Sequence, residues 1–201
     1  MTKRSFLLDR IPPAWRYPLV TSTVVPRPLA WVSTVAADGT RNLAPHSFFT
    51  VASQDPPILQ FTSVGEKDTL RNIRATGEFV ICLVSKELVL QANLSSADFP
   101  AGIDEFIETG LTAEPSACVA PARVGESPVA LECRLHQIIA VGNSFLVLGD
   151  LLCVALDEAV LDDSEEPHPL YHRLSPASRL GRTQWAAAGE PFDLSRPRHL
   201  G

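Results

Sequence analysis

The chain has 201 residues, 45% of them hydrophobic, which is enough for one domain with a packed core and some elaboration. Seventeen Lys and Arg against 23 Asp and Glu leave a formal net charge of -6, which excludes a global electrostatic footprint for nucleic acid or an anionic membrane. Any bound anion has to be held locally.

At the N-terminus, "MTKRSFLLDRIPP" is basic, but its apolar run stops after Phe6-Leu7-Leu8, too short for a signal-peptide core, and a cytoplasmic location is expected. Residues 1–16 read as an N-terminal extension. Alternating or β-rich runs follow at 29–35, 58–62, 78–84, 129–141 and 145–156, so the chain is predicted to be mainly β. Asp38-Gly39 supplies the first hairpin turn and Gly142-Asn143 a second, between two long strands that favour a closed barrel or a sandwich. Short helices are predicted over 68–75, ending near Gly77, in "KELVLQANLSS", and in "DEFIETG", ending at Gly110. The longest apolar region, "IIAVGNSFLVLGDLLCVAL", is broken by Gly142-Asn143-Ser144 and Asp150, short of the roughly 20 residues that span a bilayer. From 157 to 201, mixed proline, acidic and basic residues suggest an extended arm with one helical turn around "TQWAAAGE", leaving 17–156 as the single domain.

Cys82, Cys118, Cys133 and Cys153 show no close pairing and read as buried thiols, with a disulfide or a metal site as the alternative. His46 and His136 are isolated, and His168 and His172 lie in a proline-containing loop, so no metal site is expected.

The stretch "VVPRPLAWVSTVAADGTRNLAPHSFFTV", residues 24–51, carries the richest chemistry. Arg27 is clamped between Pro26 and Pro28, which lets a guanidinium meet an anion with less backbone entropy to lose; a surface arginine on an extended lead-in is the other reading. Ser33 and Thr34 alternate, so one hydroxyl faces each side of the strand. In the return arm, Pro45 marks a bend, bulge or edge, with Asn42, His46, Ser47, Phe48 and Phe49 beside it. That mixture suits a flat heteroaromatic ligand with polar edges, or a bulged strand with core phenylalanines. Downstream, "TSVGEKDTLRN" ends a strand at Thr62-Ser63, turns at Gly65 and opens a helix at Lys67-Asp68-Thr69. Unpaired N–H groups, the positive end of the helix dipole and the Lys67 charge make a phosphate cradle there, with simple helix capping as the alternative. The glycine spacing of a P-loop or a dinucleotide fingerprint is missing.

Taken in order, "VVPRPLAWVST", "DGTRNLAPHSFF", "DPPILQFTS", "KDTLRNI", "GEFVICLV", "GIDEFIETGL", "SPVALEC" and "SRLGRTQW" resemble the flavin reductase-like family of the FMN-binding split-barrel superfamily, close to its flavoredoxin branch, over about residues 17–197. The resemblance implies a six-stranded Greek-key split β-barrel with short peripheral helices and a C-terminal arm, forming a homodimer with FMN, or alternatively FAD, in a groove at the interface. Carried onto this chain, it makes Arg27, Ser33, Thr34, Asn42, Ala44 and Ser47 flavin contacts, and gives Ser63, Lys67, Asp68 and Thr69 the phosphate and its neighbouring hydroxyls. Asp68 would serve as a helix cap or hydroxyl acceptor. The family often carries a tyrosine where this chain has Trp185, an aromatic that either covers the flavin or packs on the barrel. By looser analogy, His136 is a candidate nicotinamide contact. The implied activity is NAD(P)H-dependent flavin reduction, with NADH or NADPH as reductant and a monooxygenase as one candidate acceptor. The alternatives are a flavoredoxin-type FMN electron carrier and a flavin-free split-barrel interaction module.

Overall fold

In the computed structural model, which describes residues 2–100, 102–187 and 189–197, the first element is a helix, α1 (Pro13–Thr23). It is not among the elements expected from the sequence, where residues 1–16 read as an extension. Here Pro13 occupies the first turn, where the missing N–H is an orphan in any case, and only Pro18 lies inside.

The strands then run β1 (Arg27–Pro28), β2 (Ala30–Val35), β3 (Arg41–His46), β4 (Phe49–Ser53) and β5 (Ile58–Val64). Next come α2 (Asp68–Thr76), β6 (Glu78–Cys82), a 3-10 turn (Lys86–Leu88) running into α3 (Val89–Leu94), and α4 (Glu105–Thr109). The short pair β7 (Ala113–Glu114) and β8 (Arg123–Val124) precedes the long hairpin β9 (Val129–Val141) and β10 (Ser144–Leu156). The arm holds α5 (Tyr171–Leu174), β11 (Ser178–Arg179) and β12 (Trp185–Ala186).

Seven strands form one antiparallel sheet in the order β3-β2-β6-β9-β10-β5-β4. Its two edge strands, β3 and β4, are consecutive in the chain and separated only by Ser47 and Phe48. Counted as one bent strand they reduce the seven to the six of a split barrel, and the bend is where Pro45, unable to donate to a ladder, sits on an edge. The ladder itself does not close among the described residues. At the seam the Thr62 N–H donates to the Phe48 carbonyl at 2.9 Å.

Alternation along the strands divides the core in two. Ala30, Val32, Phe79 and Ile81 join Phe61, Cys133 and Val147 under Leu70 and Ile73 of α2. Trp31, Val80 and Cys82 face the other way, against Ala92 of α3, Phe106 of α4 and Val124 of β8. Gly149 sits at a register shift in β10, where a Cβ would come within 2.3 Å of the Phe79 ring; glycine lets that ring pack edge-on against Phe61, 5.6 Å between centroids. The β9–β10 turn places Gly142 at φ +58°, first of two loop residues, as a type II′ turn requires.

The helix predicted around "TQWAAAGE" is not present. Trp185 pairs instead with Arg179, and β11 pairs onward with β1, giving a three-stranded sheet. The start of the alanine-rich run is drawn instead into a short hairpin with β11, which is itself anchored on the distant β1; Ala188 lies outside the described residues. Gly181 allows this arm to approach α1 closely, since a Cβ there would meet the Ser22 side chain. No helix is long and apolar enough to cross a membrane.

Candidate functional site

A cleft of about 440 Å³ opens where the bent β3–β4 strand passes the N-terminus of α2. That volume is within the range of small-molecule sites. Of the residues singled out from sequence, Asn42, Ala44, Ser47, Lys67, Asp68 and Thr69 line it together.

The α2 N-terminus meets this cleft without a side-chain cap. Lys67 takes the N-cap position in extended backbone, φ -113°, and its side chain caps nothing. Asp68 is not a cap either: it lies in the first turn and pairs with Arg71. The first-turn N–H groups and the positive dipole end are therefore available to an anion. Glu66 pairs with Arg74, and Lys67 forms no ion pair among the described residues. Ser63, fully buried, donates to the Gly65 carbonyl at 3.0 Å, shaping the turn that delivers Lys67 rather than lining the cleft.

Behind the wall lies a small polar network. Asn42 Nδ2 donates to Thr34 Oγ1 at 3.2 Å and to Thr69 Oγ1 at 3.1 Å, while Asn72 Nδ2 donates to the same Thr34 oxygen at 3.0 Å. Thr34 is completely buried, so it holds the wall and does not touch a ligand in the cleft. Ser33 faces the opposite core and its Oγ has no partner among the described residues.

His46 is the unusual group. Its Nδ1 is 3.3 Å from the Thr62 carbonyl, and Nε2 is buried in the wall of the cleft without a partner among the described residues. Burial pushes its pKa down to about 4; the Thr62 carbonyl opposes this and the Lys67 charge adds to it. The ring is thus neutral at pH 7, Nδ1–H donates to Thr62, and Nε2 presents a lone pair.

Other residues in the cleft escaped the sequence reading. Glu105, the first residue of α4, accepts the Leu43 N–H at 3.1 Å, and burial, opposed by its backbone bonds and reinforced by Asp68 and Asp104, lifts its carboxyl above the usual range. Arg71, Tyr17 and the 95–99 loop also contribute. Glu105 was legible only as a helix start, and nothing in the 95–99 stretch signals a site.

Besides Ser33, Thr34 and Ser63, three sequence candidates stand outside the cleft. Arg27 is buried, and its guanidinium donates to the carbonyls of Thr21, Val24 at 3.0 Å and Leu180 at 2.7 Å, and to Ser47 Oγ at 3.4 Å. The proline-clamped arginine ties α1 and the arm to the bend. Trp185 packs against the outer core with Arg179 over its ring at 4.7 Å, and does not line the cleft. His136 lies on the long hairpin, its Nδ1 2.9 Å from Asp150, both side chains substantially exposed. With Ser63, these residues frame the barrel or its surface.

A donor-rich wall, an uncapped helix end, a cation and an orphaned acceptor fit a phosphorylated heteroaromatic ligand such as a flavin mononucleotide. Comparison with known proteins agrees. Residues 22–175 match the family described as "Flavin reductase like domain". An uncharacterised protein of Deinococcus radiodurans is 37% identical, with 98% of this chain and 91% of that protein covered. Nitrilotriacetate monooxygenase component B from Bacillus cereus superposes with a TM-score of 0.91 at 28% identity, covering 96% of this chain and 100% of the other. The 2-nitrobenzoate 2-nitroreductase NbaA of Pseudomonas fluorescens gives 0.89 at 28% identity, with 98% of each chain covered. The chain belongs to the flavin reductase-like family and has its split-barrel fold.

Proposed function

We propose that the protein is an FMN-binding, NAD(P)H-dependent flavin reductase that passes electrons to a second acceptor. The observation that carries this reading is the uncapped N-terminus of α2 beside Lys67, opening into a cleft of a flavin reductase-like chain. Lys67, the first-turn N–H groups and the Thr69 hydroxyl hold the phosphate. Ala44 and Ser47, on the bent strand, wall the ring, and neutral His46 offers an acceptor at Nε2 to a ligand N–H or hydroxyl. When bound, the flavin supplies hydride acceptance from a reduced nicotinamide at N5 and onward electron transfer. The protein's part is to bind, orient and exclude water, so no carboxylate pair or nucleophile triad is needed.

A monooxygenase is the acceptor favoured by the likeness to nitrilotriacetate monooxygenase component B. The proposal includes a cytoplasmic location and a homodimer, the latter supported by the exposed apolar side chains of Trp15, Tyr17 and Val20 on α1, of which Tyr17 also lines the cleft.

The test is anaerobic stopped-flow absorbance of the FMN-loaded protein mixed with NADH and, separately, with NADPH. Bleaching of the flavin band within a turnover time is the expected result and names the reductant. Flavin that stays bound and oxidised with both makes the protein an electron carrier. Failure to bind FMN removes the cleft as its site.

A further inference from the structure

Away from the cleft, one cluster of nucleophilic groups has no part in the chemistry above. The sulfurs of Cys118 and Cys153 and a carboxylate oxygen of Glu132 all lie within 4.8 Å of one another. The strand geometry explains half of this. Cys153 is the direct partner of Glu132 in the β9–β10 ladder, beside a register shift after Leu151, so both side chains stand on the same face. The other half is the connection 115–122 between β7 and β8, laid across that face by hydrogen bonds. Ala117 N–H donates to Glu132 Oε1 at 2.9 Å, Cys118 N–H to Oε2 at 2.6 Å, and Ala120 N–H to Glu78 Oε2 at 2.8 Å. The expectation of buried thiols fails for these two: Cys118, carried on a surface connection, is exposed, and Cys153 is half-buried. By contrast, burial raises the Cys82 and Cys133 thiols to about 12 and withdraws them from exchange.

A metal ion does not fit this cluster. Both Glu132 oxygens already accept backbone N–H groups, and the Arg123 guanidinium donates to the same carboxylate, at 2.8 Å from Nε. A divalent cation would have to displace a cation already paired there.

We propose that Cys118 and Cys153 form a reversible intramolecular disulfide that clips the 115–122 connection onto β10. The oxidant is a low-molecular-weight disulfide. The Cys118 thiolate attacks one sulfur of that disulfide and expels a thiolate, leaving a mixed disulfide. The Cys153 thiolate then attacks the Cys118 sulfur and expels the second thiolate. Two protein thiols are oxidised, the two electrons leave on the reduced oxidant, and the two protons end on its two thiols. Desolvation, with the Cys153 thiol and the Glu132 carboxylate adding to it, holds the Cys118 thiol above its ordinary value, so closure quickens as pH rises.

The experiment uses the full chain and oxidised glutathione, with thiol labelling after unfolding, peptide mapping by mass and thermal melting. The expected result is loss of two of the four thiols, a mass lower by two hydrogens, a Cys118–Cys153 peptide and reversal by dithiothreitol. The melting temperature should rise by on the order of 5 °C. Cys118→Ser and Cys153→Ser each abolish the shift, and Cys153→Ser retains one glutathione on Cys118. Four surviving thiols, a stable glutathione adduct in the parent protein, a cross-link between chains, or stoichiometric zinc that blocks oxidation would each overturn the proposal. None of these readouts depends on flavin.

Discussion

Two polar assemblies on the same barrel are built to opposite specifications. Glu132 is wholly inaccessible to solvent, yet its carboxylate accepts from Ala117, Cys118 and Arg123, so both of its oxygens are engaged. Burial alone would lift its carboxyl; the backbone N–H groups and the Arg123 guanidinium outweigh it and hold the group below the usual range. At the cleft the accounts are left open, with His46 Nε2 partnerless, the α2 end uncapped and Lys67 outside any ion pair among the described residues. A closed polar cluster fastens a loop to a sheet. An open one reserves its valences for something that binds.

The largest effect should come from breaking the closed cluster. Glu132→Ala strands the Arg123 guanidinium and two loop N–H groups over a buried face, and should cost about 3–5 kcal/mol of stability in urea denaturation. FMN affinity of the folded fraction should stay unchanged, because none of these residues lines the cleft. A fall in affinity at constant stability would erase the distinction between fastener and socket.

Much of this was legible in the sequence, and the gaps have physical causes. The hairpin turns, the 129–141 strand and the glycine-capped C-terminal ends of α2 and α4 rest on local chemistry, so they emerge with their boundaries nearly right. The cleft half formed by Asn42, Ala44, Ser47 and Lys67-Asp68-Thr69 emerged too, because bend and helix start leave local marks. Glu105 and the 95–99 loop did not, since only tertiary packing brings them there. Arg27 shows the converse failure. Its proline clamp is a local sign of preorganisation, but the carbonyls it binds come from α1 and from Leu180, which no local pattern reveals. Glu132 and the Cys118–Cys153 proximity were equally invisible, as they depend on where a long connection lies on the sheet.

Acid should test the open cluster next. Above pH 6.5 His46 is neutral both folded and unfolded and contributes no pH dependence. Between 6.5 and about 4 the unfolded chain takes up a proton that the buried ring refuses, so stability falls as pH falls, and the loss is complete below the folded value. The full loss is roughly 3 kcal/mol. Urea titrations at pH 7 and pH 4.5 should show His46→Gln losing less stability on acidification than the parent protein. Parallel losses in the two proteins would mean that the ring is not held neutral by burial.

The smallest and sharpest effect concerns Lys67. It makes no ion pair among the described residues, so Lys67→Ala should leave the urea midpoint unmoved. Its whole contribution should appear in binding, where loss of one charge-assisted phosphate contact costs about 2 kcal/mol, or roughly 30-fold in FMN affinity. Riboflavin, which lacks the phosphate, separates the contributions in a fluorescence-quenching titration. Weaker FMN with unchanged riboflavin places the phosphate at the α2 end. Equal weakening of both would put Lys67 against the ring, where its charge would act on the isoalloxazine and the helix dipole would have no anion to face. Unchanged affinity for both would mean that the uncapped helix end is an unused valence, and the contrast with Glu132 would lose its functional meaning.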